Sequence, residues 1–207
     1  AYIPHNHEAN MFLIDKLIVE CIDKKMKRLV HCSSAVVSGR VKDKVINEET
    51  ACNPLSDYEI TKLAIENRLV SKLRGKVELV IIRPTAVFGE GGLNLVKVID
   101  SIVYRSRFFN LLALSINKYR EMHLVPVERV VESIYFLASY KGNMEVEKFI
   151  ISEDDHAFNN YFQIVNYIAV SLGKRKYPKV FFPFATIILA LILRLTGRTQ
   201  LISKQTY

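Results

Sequence analysis

Cysteine is scarce and unpaired in this chain. Only Cys21, Cys32 and Cys52 occur in 207 residues. An odd number without paired spacing argues against a disulfide framework or a zinc site, and it suits a reducing, cytoplasmic setting. His5 and His7 have no further ligand cluster near them in sequence, so they are expected to be an ordinary surface pair and no metal is expected. A charged-then-apolar leader is missing too. The chain starts at Ala1 and reads like the middle of a longer protein. No apolar run reaches the about 20 residues needed to span a bilayer. The longest, Val180 to Leu193, has 14. It reads as a buried helix, with an interfacial membrane helix as the alternative. Internal repeats and low-complexity segments are absent. Acidic residues are in the minority, 21 against 29 Lys and Arg, for a net charge of +8. That balance suits an anionic ligand such as a nucleotide, or simply solubility. The basic runs "DKKMKR" and "GKRKYPK" lie in no recognisable nucleic-acid motif, so no nucleic-acid partner is expected.

What is present points to a packed protein. Half of the residues are hydrophobic and 24% are charged, with ten Tyr and eleven Phe as large core side chains. The length allows one domain, or a domain with a lobe. Asn10 to Lys25 carries apolar residues at helical spacing. "RLVHC", Arg28 to Cys32, reads as a strand, and "SSAVVSG" leads to a turn at Gly39. Val41 to Pro54 reads as a loop. Ser56 with Glu59 three residues on is a capping box opening a helix that stops at Gly75. "VELVII", Val77 to Ile82, is the continuous apolar run of a strand buried on both faces of a parallel sheet, and Arg83-Pro84 ends it. A helix over about Leu93 to Ser106 follows, then a short extended "MHLVPV", a helix in "VERVVESIYFLASY", a strand in "KFIIS" and a helix over Phe158 to Leu172. Strand and helix alternate as in an open parallel α/β sheet.

Within the helix after the capping box, Tyr58 and Lys62 stand four residues apart, on one face. An ammonium beside a phenol favours the phenolate and lowers its pKa, which prepares a tyrosine for acid/base work near neutral pH. Ten Tyr and 17 Lys in 207 residues give roughly one such pair by chance, so the weight lies in the surroundings. Three pieces occur in order: "RLVHCSSAVVSG", "YEITK" and "VIIRPTAVFGEGG". Ser34 precedes Tyr58 by 24 residues and Arg83 follows it by 25. The ordered trio resembles the extended short-chain dehydrogenase/reductase family, its NAD-dependent epimerase/dehydratase group in particular. "HLVPVERVVESI" and "KFIISEDD" continue the resemblance, which fades after about residue 175.

The resemblance implies a Rossmann-like, doubly wound parallel sheet with its N-terminal part missing, followed by a smaller C-terminal substrate-binding lobe. Residues 1–88 would be the C-terminal half of the dinucleotide-binding domain. Residues 89–207 would form the lobe, with about 121–152 returning to the sheet. It also implies that Tyr58 is the acid/base, that Lys62 lowers its pKa and holds the nicotinamide ribose, and that Ser34 holds the substrate hydroxyl. Ser33, Pro84 and Val87 would line the cofactor. The implied chemistry is hydride transfer between a substrate carbon and NAD or NADP, with Tyr58 moving the proton.

Two positions depart from the family pattern: Ser38 stands where tyrosine is common before the glycine, and Arg129 where an acidic residue or asparagine is common. The larger departure is the Gly-x-x-Gly-x-x-Gly loop that binds pyrophosphate, which matches nothing here. The expectation is therefore a fragment, the C-terminal two-thirds of a cytoplasmic epimerase, dehydratase or reductase acting on a nucleotide sugar or another small molecule. A homodimer is compatible with this, and a membrane association is not expected. A 3-beta-hydroxysteroid- or flavonol-type dehydrogenase is the second enzyme reading, favoured by the apolar "FFPFATIILALILRL". A non-catalytic dinucleotide-sensing protein is the rival of another class, and the joint presence of Ser34, Tyr58 and Lys62 argues against it.

Overall fold

In the strand Glu78–Pro84, successive side chains point to opposite faces. Both faces are apolar, so both attract a layer of helix. Leu79 and Ile81 pack with Ile18, Cys21, Ile65, Leu69 and Leu73 of two helices. Val80 and Ile82 pack on the other face with Val125, Val130 and Leu137. This is the reason for a sheet covered on both sides.

A computed structural model describes residues 2–179, except 42, 44 and 118, together with Phe184 and Ile187. The order is α1 His7–Asp23, β1 Arg28–Cys32, a 3₁₀ turn Ala35–Ser38, α2 Asp57–Leu73, β2 Glu78–Pro84, β3 Ala86–Phe88, α3 Val96–Tyr104, α4 Arg107–Ile116, β4 Leu124–Pro126, α5 Val127–Ser139, β5 Val146–Ile151 and α6 Tyr161–Ser171. Two compact units result: residues 1–89 with 125–152, and residues 90–124 with 153–207.

The first unit holds the parallel sheet, ordered β1-β2-β5. Val30 stands opposite Val80, and Ile82 opposite Phe149. β3 and β4 form a separate pair. Caps define the helix starts: Asn6 accepts from Ala9 N–H for α1, and Ser56 and Glu59 make the expected reciprocal box for α2. Arg28 ties β1 to the end of α5, since its guanidinium donates to the carbonyls of Leu137, Tyr140 and Gly142 and pairs with Glu78. Two glycines are required by close approach. A Cβ at Gly39 (φ 62°) would lie 1.9 Å from the Asn53 carbonyl oxygen, and one at Gly89 would lie 2.5 Å from Val127.

The second unit packs α3 against α4 and α6, with Ile102, Leu112, Leu114 and Val165 buried. Buried Asn110 donates to the Tyr177 hydroxyl, and Asn166 accepts from the Tyr177 N–H, so two amides anchor the segment after α6.

Several boundaries differ from the sequence expectation. β2 runs on through Arg83 to Pro84, because Pro84 still pairs with Ile151 at the end of the ladder. The helix expected over Leu93 to Ser106 ends at Tyr104, and Ser106 instead caps a separate helix, α4, by accepting from Phe109 N–H. Among the described residues no helix is long and apolar enough to cross a membrane. The run Val180 to Leu193 lies outside them apart from Phe184 and Ile187.

Candidate active site

The C-terminal end of β1 gathers the polar groups. Ser34 follows the strand in extended backbone and precedes the 3₁₀ turn, yet its hydroxyl does not cap that turn. It lies beside the phenol of Tyr58 and acts to lower its pKa. Tyr58 lies in the first turn of α2 and Lys62 one turn on. The Lys62 Nζ donates to the Cys32 carbonyl at 3.3 Å and sits 5.9 Å from the centre of the Tyr58 ring. The structure therefore brings Ser34, Tyr58 and Lys62 together from two elements.

The direction of the Tyr58 pKa corrects one expectation. Burial pushes the phenol above its ordinary value, and Tyr2 and Cys32 push the same way, while Ser34 opposes them. The push is limited, because 39% of the residue still meets solvent. Lys62 is not among the groups acting on the phenol, and its ammonium donates to the Cys32 carbonyl. Burial in turn lowers the Lys62 pKa, with Cys32 and Glu66 acting to raise it.

The remaining expected residues are arranged differently. Ser33 is buried, its N–H donates to the Ile82 carbonyl at 2.8 Å, and its Oγ has no partner among the described residues. Pro84 is the buried last residue of β2. Val87, in β3, packs against the apolar layer containing Val80 and Ile82. Of the two departures from the family pattern, Ser38 is buried with an Oγ that has no partner among the described residues, and Arg129 pairs with Glu132 on the surface of α5. His7 bonds the Thr61 hydroxyl of α2 at 3.0 Å.

Several neighbours escaped the sequence reading. Glu66 lies one turn beyond Lys62 and forms a two-pronged pair with Arg83 of β2, with Nε to Oε1 at 3.1 Å and Nη2 to Oε2 at 2.6 Å. Both side chains are 1% exposed. Helical spacing from Tyr58 and Lys62 was a signal for Glu66; nothing in sequence linked it to Arg83. His31, on β1, is held neutral: burial pushes its pKa down to about 4, helped by Lys62 and opposed by Glu66. Tyr2 meets the Tyr58 ring edge-on, centroids 5.0 Å apart at 88°, and lies 5.4 Å from the Lys62 ammonium.

These groups suit the nicotinamide end of a dinucleotide. An ammonium has three N–H donors, and the Cys32 carbonyl takes one of those of Lys62, leaving donors for vicinal ribose hydroxyls. Nothing among the 207 residues supplies the glycine-rich loop for the pyrophosphate.

A parallel sheet with helices on both faces, and a serine, tyrosine and lysine at a strand's C-terminal end, define a protein of the Rossmann-like dinucleotide-binding class. The model of the NAD dependent epimerase/dehydratase family matches residues 4–107, half of the chain, and the chain belongs to that family. UDP-glucuronic acid 4-epimerase from Bacillus cereus, solved with NAD, superposes with a TM-score of 0.64 at 18% identity, over 84% of this chain and 55% of that one. dTDP-glucose 4,6-dehydratase from Bacillus anthracis, also solved with NAD, gives 0.60 at 18% identity, over 82% and 54%. An uncharacterized protein, y4nG, of Sinorhizobium fredii (strain NBRC 101917 / NGR234) is 31% identical over 108 residues, 52% of this chain and 27% of its own length. The chain thus spans about half the length of the solved structures it resembles and about a quarter of that curated relative.

Proposed function

We propose that this chain carries the acid/base half of an NAD(P)-dependent epimerase/dehydratase-type oxidoreductase acting on a nucleotide sugar. The observation that carries the reading is the cluster of Ser34, Tyr58 and Lys62 at the end of β1. Residues 1–88, with 121–152, would serve the cofactor, and the rest of 89–207 the sugar nucleotide. Solved relatives bearing NAD and UDP-sugars support this choice of ligand class. The cysteines, odd in number and all free, are consistent with a cytoplasmic enzyme.

Tyr58 exchanges the proton of the substrate hydroxyl that is oxidised or re-formed. Ser34, beside the phenol, would hold that hydroxyl in line and stabilise the phenolate by donating to it. Lys62 would donate to the ribose of the dinucleotide, and its positive charge favours the ionised phenol once the substrate excludes water. The nicotinamide supplies the hydride acceptor when bound. An upward-shifted phenol suits the acid role in the resting site; the base role calls for the added positive charge of an oxidised nicotinamide.

The steroid-type reading rests on Val180 to Leu193, of which only Phe184 and Ile187 are described, and has no separate support. Replacing Tyr58 with Phe in the full-length enzyme tests the proposal. Turnover is expected to fall by roughly 100-fold or more in a folded variant. A fall smaller than about threefold would remove Tyr58 from the chemistry.

A further inference from the structure

The segment carrying Tyr2 is held by one buried side chain. Asn10, on α1 and 1% exposed, accepts from the Ile3 N–H through Oδ1 at 2.8 Å. Its Nδ2 donates to the Ile3 carbonyl at 2.7 Å and to the Asn6 carbonyl at 2.6 Å. A buried amide that bonds both backbone groups of Ile3 fixes the residue beside it. Tyr2 is thereby set edge-on to Tyr58, with its ring also facing the Lys62 ammonium.

The same ammonium lies within cation–π range of both rings. Ser34, Tyr2 and Cys32 act on the phenol of Tyr58, and Cys32, His31 and Glu66 interact with Lys62. Tyr2 is the one member of this group contributed by the segment ahead of α1. Edge-to-face aromatic packing restricts the tilt of both rings. A proton-transfer group depends on such restriction, because small misplacements reduce rate steeply.

We infer that Tyr2, held by the Asn10 clamp, is a positioning residue that fixes the ring of Tyr58 and shares the ammonium of Lys62. This rests on the reading of Tyr58 as the acid/base. It also separates two roles in the site: Ser34 addresses the phenol oxygen, and Tyr2 addresses the ring.

The test uses full-length protein labelled with ¹³C at tyrosine Cζ, the Tyr58 signal being assigned by its loss in Tyr58→Phe. In Tyr2→Leu the Tyr58 titration midpoint is expected to fall, because the phenol loses part of its cover. Its kcat is expected to fall about tenfold with KM within about twofold. Tyr2→Phe, which keeps the ring but loses the hydroxyl, should restore kcat. Asn10→Ala, which frees the segment and leaves both rings intact, should behave like Tyr2→Leu. An unchanged midpoint in folded Tyr2→Leu overturns the inference. Full turnover in Tyr58→Phe would instead overturn the acid/base reading, and the midpoint would still decide whether Tyr2 holds Tyr58.

Discussion

The Ser34 hydroxyl, beside Tyr58, is not used at the turn that it precedes. A serine in that position commonly caps the following turn; here the first turn of α2 offers a phenol instead. The same neighbourhood constrains His31. Its Nε2 is buried without a partner among the described residues, so protonation would place an unpaired cation beside Lys62. With a folded pKa of about 4 against 6.5 unfolded, the unfolded chain binds the proton more readily. His31 therefore leaves stability undiminished above pH 6.5 and lowers it progressively as pH falls toward 4. The loss is at most about 3 kcal/mol by linkage. Urea unfolding at stepped pH should show this decline, with a smaller one in His31→Gln. A His31 ring signal titrating above pH 6 would refute it.

At the scale of elements, α2 is positioned from both ends of its buried face. The capping box fixes the first turn, which carries Tyr58. Ser56→Ala should lower the unfolding free energy by about 1 kcal/mol and loosen that turn; an unchanged denaturation midpoint would show that packing alone sets the helix start. Further along, Glu66 locks the helix to β2 through Arg83. Burial works against the guanidinium charge, and the Glu66 carboxylate overcomes it, holding Arg83 above its ordinary pKa. Glu66→Gln would leave that cation buried and uncompensated, at a cost of about 3–5 kcal/mol. Chemical denaturation of the variant measures it, and a loss below about 1 kcal/mol would mean that water reaches the guanidinium.

At the scale of the whole molecule, the site and the phosphate-binding requirement separate. The groups proposed to face the nicotinamide lie in this chain, whereas its 207 residues include no glycine-rich loop. The isolated chain is expected to bind NAD and NADP only weakly, with Kd above about 1 mM, since the pyrophosphate supplies much of the dinucleotide's charge recognition. Isothermal titration decides this: micromolar affinity for either would place a pyrophosphate site within these residues. The net charge of +8 alone, without oriented N–H donors, gives salt-sensitive and unselective attraction.

The elements around the site were legible in sequence for local reasons. The strand Arg28–Cys32, the Ser56–Glu59 box and the long apolar run of β2 depend on side-chain period and on hydrogen bonds three residues apart, so short windows contain them. The boundary at Ser106 was missed because one residue served both as the end of an apolar stretch and as the cap of the next helix. The order of Ser34, Tyr58, Lys62 and Arg83 already indicated the family. Only the tertiary structure decided which groups meet. Arg83 finds Glu66 across 17 residues, and Tyr2 meets Tyr58 because Asn10 holds the backbone of Ile3. The structure also reversed the expected direction of the Tyr58 pKa. The four-residue spacing placed the ammonium near the ring, but where that ammonium donates depends on the Cys32 carbonyl at the end of another element. Burial and hydrogen-bond partners are properties of packed surfaces, and no local period encodes them.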